Sequence, residues 1–255
     1  MKYVSFILAA LLIVSCDESP EETDPDKTNG EDSVAEMTTD ELIVRQIESA
    51  LSIPVTEEYT YKVYKEHLNG DDSLDYIISV NRLEKALNEA IESGQVAKRA
   101  EIGYMGNYNY IFYMDGSSKS MTTPIAVPSS PHAELRVTFD NIVSEGYKDV
   151  MVDFRIRNSS FRRFYTVVGE TPRQDFEMKI FDGLGTDDTE AYVMEYEPGT
   201  YSLAKDILIY KAELEAVEIT DPMEIYSLDP EITKTDVLDR RWFFNGHELK
   251  YFTEK

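Results

Sequence analysis

Cysteine is almost absent from this sequence: Cys16 is the single one among 255 residues. One thiol excludes an intramolecular disulfide, so the fold has to be stabilised by packing even if the protein matures in an oxidising compartment. About 218 residues follow from Thr38 onward, which is enough chain to bury a hydrophobic core without covalent cross-links.

Positive charge is scarce as well. The sequence has 25 lysines and arginines against 49 aspartates and glutamates, a formal net charge of −24. The acidity is not confined to one tail, because residues 17–36 carry −8 and the chain beyond them still carries −17. This balance excludes nucleic acid and anionic lipid surfaces as natural partners and favours divalent cations.

The sequence also lacks the common catalytic signatures. It has no Gly-x-Ser-x-Gly, no His-Glu-x-x-His and no glycine-rich phosphate loop, and His67, His132 and His247 lie far apart. The many acidic residues leave a catalytic carboxylate pair open. Two classes of function therefore remain: a non-catalytic binding or structural module, or a carboxylate-dependent hydrolase of exported polymers such as glycans.

Apolar runs of membrane-spanning length are missing. Val4–Val14 is apolar over about eleven residues and follows the positive Lys2, which is typical of a signal peptide over residues 1–15. The run ends in Ile-Val-Ser-Cys, which resembles the lipobox of bacterial lipoprotein precursors. The resemblance implies that Cys16 becomes a lipidated N-terminus and anchors the chain to a membrane of the cell envelope.

Residues 16–37 contain almost no apolar side chains, and the stretch from Asp17 to Glu36 holds nine acidic residues and one lysine. This composition predicts a disordered tether. An acidic stretch directly after the lipidated cysteine resembles the surface-export signal of lipoproteins in the Bacteroidota, which implies an outer-membrane lipoprotein exposed at the cell surface. In enteric-type sorting, Asp17 would instead favour retention at the inner membrane.

Residues 38–255 are predicted to form a single β-rich domain, since no linker-like segment interrupts them. Apolar spacing predicts one helix from about Thr38 to Pro54 and a second from Leu83 to Gly94. β-Branched and aromatic runs predict the strands. These runs are Tyr59–Glu66, Leu74–Val80, Tyr108–Met114, Glu134–Phe139, Asp149–Arg157, Phe161–Val168, Phe176–Phe181, Ala191–Tyr196 and Ile207–Ala216.

Near the C-terminus, Asn245-Gly246 lies between two aromatic arms and predicts a hairpin, whereas Ser117–Pro131 reads as a long loop. The predicted fold class is mostly β (α+β): an antiparallel, sandwich-like domain with two packed helices, preceded by the signal peptide and the acidic tether.

The segment HLNGDDSLDYIISVN, residues 67–81, carries the sharpest ligand motif. It resembles the calcium loops of FG-GAP and VCBS-type extracellular repeats, which implies a Ca²⁺ site built from Asn69, Asp71, Ser73 and Asp75. His67 replaces the first carboxylate of that pattern and Asp72 replaces its glycine. The alternative is a plain β-hairpin, because apolar residues alternate on both sides of the turn.

Two further groups are candidate ligand or partner surfaces. Four arginines flank the turn of one predicted hairpin and could hold a carboxylate, a phosphate or an acidic protein, unless they pair with neighbouring acidic side chains. They are Arg155, Arg157, Arg162 and Arg163. Tyr108 and Tyr110 could stack on a glycan, or they could belong to a strand covered on both faces.

Overall fold

The computed structural model describes residues 37–94, 106–215 and 224–254, so the signal peptide, Cys16 and nearly all of the tether lie outside the described residues. Two helices are present in these ranges, α1 (Thr39–Leu51) and α2 (Leu83–Glu92), together with a 3₁₀ turn at Glu224–Tyr226. The strands are β1 (Thr60–Glu66), β2 (Asp75–Asn81), β3 (Asn109–Met114), β4 (Ile125–Ala126), β5 (Arg136–Asp140), β6 (Asp149–Ile156), β7 (Ser159–Val167), β8 (Pro172–Asp182), β9 (Glu190–Glu197), β10 (Asp206–Leu214), β11 (Ile232–Asn245) and β12 (Lys250–Phe252).

The strands form two antiparallel sheets. The first has the order β1-β2-β3-β4, and the second runs from β5 to β12 with every strand beside its neighbour in sequence. Such a meander needs only short connections, which agrees with the turn residues between the predicted strands. The predicted class, a mostly β, sandwich-like α+β fold with two helices, is confirmed.

The first sheet is covered on both faces. Ile78 and Phe112 pack on one face against Ile43 and Ile47 of α1. Ile77, Ile111 and Tyr113 pack on the other face against the second sheet. Adjacent residues of β2 and β3 therefore enter different cores, which explains why both strands are apolar at consecutive positions and do not alternate with polar residues.

The second sheet folds back on itself. Val150, Val152 and Phe154 of β6 face the first sheet. Met151 on the opposite face joins a second core together with residues from β10 to β12. β6 is thus a central strand between two layers, and its nearly continuous burial matches the apolar run in its sequence.

Strands β8 and β9 diverge over most of their length. They are hydrogen-bonded only at Phe181–Ala191 and Asp182–Glu190, where β9 continues the meander. On its other side, β8 pairs with β7 from Pro172 to Phe181, with a bulge near Asp175. The bulge directs both Asp175 and Phe176 toward the interior, and both are buried.

Most sequence-based element predictions hold, with local differences. Gly94, at φ +67°, ends α2 as predicted, and its N–H bonds to the Ile91 carbonyl. The predicted loop at residues 117–131 contains the two-residue strand β4, paired with β3. The C-terminal hairpin is present, but four residues separate its strands, and the Asn245 side chain caps the turn by accepting the His247 and Glu248 N–H groups.

Candidate functional site

The predicted calcium loop joins β1 to β2, and its side-chain oxygens bond to the loop backbone. The Asn69 Oδ1 accepts the Asp71 N–H at 2.8 Å, and the Asp71 Oδ1 accepts the Ser73 N–H at 2.7 Å. His67 Nδ1 lies 3.0 Å from the Ser73 carbonyl oxygen. These contacts are the local turn hydrogen bonds that Asn and Asp form without a metal.

Asp75 is fully buried beneath this loop. Its Oδ2 accepts the Leu68 N–H at 3.3 Å, and its Oδ1 accepts the Gly116 N–H at 2.9 Å. Burial raises the pKa of the Asp75 carboxyl. Within the described ranges, no group of three or more His, Cys, Asp or Glu side chains is placed to hold a metal ion. The oxygens of Asn69, Asp71 and Asp75 therefore accept hydrogen bonds from the backbone, and the calcium site stays a prediction.

The four arginines do not form one surface. Arg162 and Arg163 are consecutive in β7 and point to opposite faces of the sheet. Arg162 binds both oxygens of Asp153, at 2.6 and 2.8 Å, and Arg163 is ion-paired with Glu177. Arg157 lies in the hairpin turn at φ +54°. Arg162 and Arg163 are therefore paired with neighbouring acidic side chains, which is the alternative to a shared ligand surface.

Arg155 differs from the other arginines because it is buried. Its Nη atoms donate to the carbonyls of Leu228 at 3.1 Å and Ile225 at 2.8 Å. Its guanidinium lies 4.5 Å from the centroid of the Phe181 ring. Burial lowers the pKa of Arg155 to about 10.

Tyr108 and Tyr110 are partly buried. The Tyr108 ring packs against Ala86 and Ala90 of α2, and its hydroxyl donates to Glu89. Tyr110 packs beside the core under α1, and its hydroxyl donates to the Asn107 carbonyl. Both rings are therefore used in packing, as expected for a strand covered on both faces.

The divergence of β8 and β9 accompanies a cleft that we call the aromatic cleft, with a volume of about 230 Å³. Its floor is apolar and its rim is charged. The floor consists of Phe176, Met178, Tyr192, Ile209 and Trp242, and the rim of Glu177, Lys179, Asp239 and Arg240. Phe176 and Trp242 meet edge to face, with ring centroids 5.1 Å apart.

Two of the four rim charges are neutralised by neighbours. Arg163 binds Glu177, and Lys179 binds Asp182 at 2.6 Å and Glu190 at 3.4 Å. The Arg240 guanidinium lies 5.8 Å from the centroid of the Trp242 ring. Arg240 and Asp239 make no ion pair with any residue in the described part of the chain, so both side chains are available to a ligand.

A buried polar group lies next to the cleft floor. Thr166 Oγ1 is 2.6 Å from Asp149 Oδ1 and 2.7 Å from Asp175 Oδ2. Burial, and then the charge of Asp149, raise the pKa of Asp175 to about 7. Because Asp175 directly precedes Phe176, this group supports the floor of the cleft from inside.

Sequence reasoning missed the aromatic cleft. Its lining comes from four strands spread over residues 176–242, and no local motif connects them. The one available signal is that Trp242, the sole tryptophan, directly follows the pair Arg240-Arg241.

The fold and the cleft define a mostly β protein of two antiparallel sheets with a small, partly open cleft. Comparisons with protein-family models, with curated proteins and with solved structures find no match to this chain. No helix in residues 37–94, 106–215 or 224–254 is long and apolar enough to cross a membrane.

Proposed function

We propose that this protein is a lipid-anchored, extracytoplasmic binding module that holds a glycan in the aromatic cleft. The observation that carries the proposal is the combination of aromatic rings on the floor with hydrogen-bonding charges on the rim. Aromatic faces pack on the apolar faces of sugar rings, and carboxylates and guanidinium groups bond to the hydroxyls. The lipobox-like sequence ending at Cys16 supports the membrane anchor, and the acidic tether supports display at the outer membrane.

The dimensions of the cleft favour a short ligand segment. Its volume of about 230 Å³ is below the usual range of roughly 300–1,000 Å³ for small-molecule pockets. One or two sugar units at the end or side of a longer chain fit this size better than a whole oligosaccharide. The tether then supplies the reach toward a polymer outside the membrane.

A carboxylate-dependent glycan hydrolase is the second candidate, because Glu177 and Asp239 line the same cleft. Hydrolysis needs one carboxyl as acid and one as base or nucleophile. Glu177, however, is already ion-paired with Arg163, so a substrate would have to displace that guanidinium to reach the carboxylate. Binding is therefore the first proposal and hydrolysis the second.

The sole tryptophan provides the test. Titration with neutral hexose and N-acetylhexosamine oligosaccharides should shift or quench Trp242 fluorescence in a saturable way, since no other tryptophan contributes to the signal. Tyr192→Ala should weaken binding roughly tenfold or more. Tyr201→Ala is the matched control, because Tyr201 is 61% exposed and does not line the cleft.

Analysis of the oligosaccharides after the same titration separates the two candidates. A binding module releases its ligand unchanged, so wild type, Glu177→Gln and Asp239→Asn should all give no cleavage product. Release of reducing ends that stops in both variants would establish the hydrolase. If no oligosaccharide in the panel changes the fluorescence, the glycan proposal is wrong.

A further inference from the structure

A second pocket, of about 250 Å³, lies between β5, β6, the start of β7 and the segment after the 3₁₀ turn. We call it the Arg155 pocket. Arg136, Arg155, Ser160 and His132 line it, together with the carboxylates Glu134, Asp153 and Asp229. We propose that the Arg155 pocket binds a small anion of the carboxylate or phosphate class.

The first argument is the isolation of the Arg155 charge. Arg155 is 8% exposed, and its side chain forms no ion pair with any described residue. Its Nη atoms bond to backbone carbonyls, and its Nε–H has no acceptor among the residues that the structure describes. A buried charge is normally paired, because burying it without compensation is costly. An anion in the pocket would supply the missing partner.

The second argument is the charge balance around the pocket. Each carboxylate in the lining already has a cation: Glu134 contacts Lys62 at 2.5 Å, Asp153 contacts Arg162 at 2.6 Å, and Asp229 contacts Arg136 at 3.5 Å. Arg136 also contacts Asp153, at 2.9 Å. The three carboxylates are thus accompanied by four cations. These are Lys62, Arg162, Arg136 and Arg155, of which Arg136 and Arg155 line the pocket. One positive charge is left over, in a protein whose net charge is −24.

The third argument is the presence of donors for direct contact. Ser160 lies opposite Arg155 in the β6–β7 register, on the same face of the sheet. Its hydroxyl has no hydrogen-bond partner among the described residues. The Arg136 guanidinium, 59% exposed, is at the mouth of the pocket. A hydroxyl and a guanidinium beside a buried cation form the donor set that recognises carboxylate and phosphate oxygens.

The desolvation of Arg155 agrees with this geometry. Its pKa falls because burial removes water from the guanidinium, and Asp229 opposes the fall only in part. A perturbed ionisable group in a pocket is a recognised sign of a binding site. The inference does not depend on the glycan proposal, since the two sites share no lining residue.

The experiment measures anion binding to the purified protein. Sodium phosphate and sodium acetate are titrated separately against sodium chloride at equal ionic strength, and thermal unfolding is recorded together with the ¹H–¹⁵N signal of the Arg155 Nε–H. Binding to the native state should raise Tm in a dose-dependent manner. A rise with phosphate alone identifies a phosphate-type ligand, and a rise with acetate alone identifies a carboxylate; either result, with a saturable shift of the Nε–H signal, supports the site.

Three variants locate the effect. Arg155→Gln should abolish the anion-dependent rise in Tm, and Arg136→Gln should weaken anion binding roughly tenfold while leaving Arg162 to hold Asp153. Arg163→Gln is the matched control, because this arginine lies on the opposite face of the same hairpin and does not line the pocket. The proposal is wrong if neither anion changes Tm or the Nε–H signal. It is also wrong if Arg163→Gln loses the effect as completely as Arg155→Gln does. Arg136→Gln keeps the test decisive if Arg155→Gln does not fold.

Discussion

The carboxyl groups of Asp149 and Asp175 share one hydroxyl. Thr166 Oγ1 lies 2.6 Å from the first and 2.7 Å from the second, and all three side chains are buried. A hydroxyl has a single proton, so Thr166 can donate to only one of the two carboxylate oxygens. Burial raises the pKa of Asp149 as well, although its Oδ2 accepts two backbone N–H groups, from Ile142 and Val143, which oppose that rise. Burial, and then the charge of Asp149, raise the pKa of Asp175 to about 7, so Asp175 is the carboxyl that holds a proton over most of the acidic range.

No nearby cation replaces that proton. Neither carboxyl forms an ion pair with any residue that the structure describes, and Arg162, on the same strand as Thr166, is bound to Asp153. The charge of Asp140 raises the pKa of Asp149 further. The remaining titratable neighbours are phenols, and the carboxylates of the pair raise the pKa of Tyr147, Tyr196 and Tyr251.

The first prediction concerns the pH dependence of stability. The folded pKa of Asp175, about 7, lies above the unfolded value near 3.9, so the native state holds an extra proton between these pH values. The stabilisation is complete below about pH 4 and is lost as pH rises toward 7, by up to about 4 kcal/mol. Asp175→Asn should flatten the free energy of unfolding over this window, measured by urea denaturation from pH 4 to 8. Asp187→Asn, in an exposed loop, should retain the slope, and equal slopes in wild type and Asp175→Asn would contradict the assignment.

The second prediction concerns Gly116. A Cβ at this position would lie 2.0 Å from the Leu74 carbonyl oxygen, a backbone atom that cannot move aside cheaply. The close approach lets the Gly116 N–H reach Asp75. Gly116→Ala should lower the free energy of unfolding by about 2–4 kcal/mol. Gly146→Ala, where the nearest atom is 3.6 Å away, should change it by less than about 1 kcal/mol, and similar values for both variants would refute the packing argument.

The third prediction concerns calcium. Because the oxygens of Asn69, Asp71 and Asp75 already accept backbone N–H groups, we expect equal Tm values in millimolar calcium, in magnesium and in chelator. Asp75→Ala should destabilise the protein in all three solutions by about 2–3 kcal/mol, since it leaves two buried N–H groups without acceptors. A calcium-specific rise in Tm that disappears in Asp71→Ala would instead establish the cation loop.

The fourth prediction concerns the anchor. Wild-type protein should incorporate an alkynyl fatty acid and fractionate with membranes, because acyl chains at Cys16 supply the hydrophobic attachment. Cys16→Ser should lose the label and appear in the soluble fraction. The free energy of unfolding of the β-rich domain should be the same in both. Membrane fractionation of Cys16→Ser without label would show that another attachment operates.

Local sequence patterns were sufficient for most of the fold. The period of the apolar residues located α2, and Gly94 marked its end, because these signals depend on a few consecutive residues. The consecutive aromatic and apolar positions in β3 indicated a strand covered on both faces, whereas β2 and β6 were predicted as alternating strands and prove to be covered on both faces as well. The small strand β4 escaped prediction because two residues give no period, and the full length of β11 escaped it because its residues from Thr233 to Arg241 are largely exposed and polar.

The candidate sites could be predicted from the sequence only in part. The calcium motif could be read from residues 67–75 alone, yet one of the two N–H groups that the Asp75 carboxylate accepts belongs to Gly116, about forty residues away. The arginines around the β6–β7 turn were visible as a group. Their different environments follow from strand alternation and from which layer covers each face.

The sequence by itself determined the features that depend on neighbouring residues: the helix ends, most strand positions and the scarcity of cysteine that leaves stability to packing; it also predicts the export signal and the acidic tether. Only the tertiary structure decided which distant side chains meet. The bending of the second sheet brought Phe176 to Trp242, placed Arg155 in a pocket where its Nε–H meets no acceptor among the described residues, and set Asp149 and Asp175 on one hydroxyl. These juxtapositions depend on the register and curvature of eight strands, which are fixed by the sum of many contacts along the chain and by no single motif.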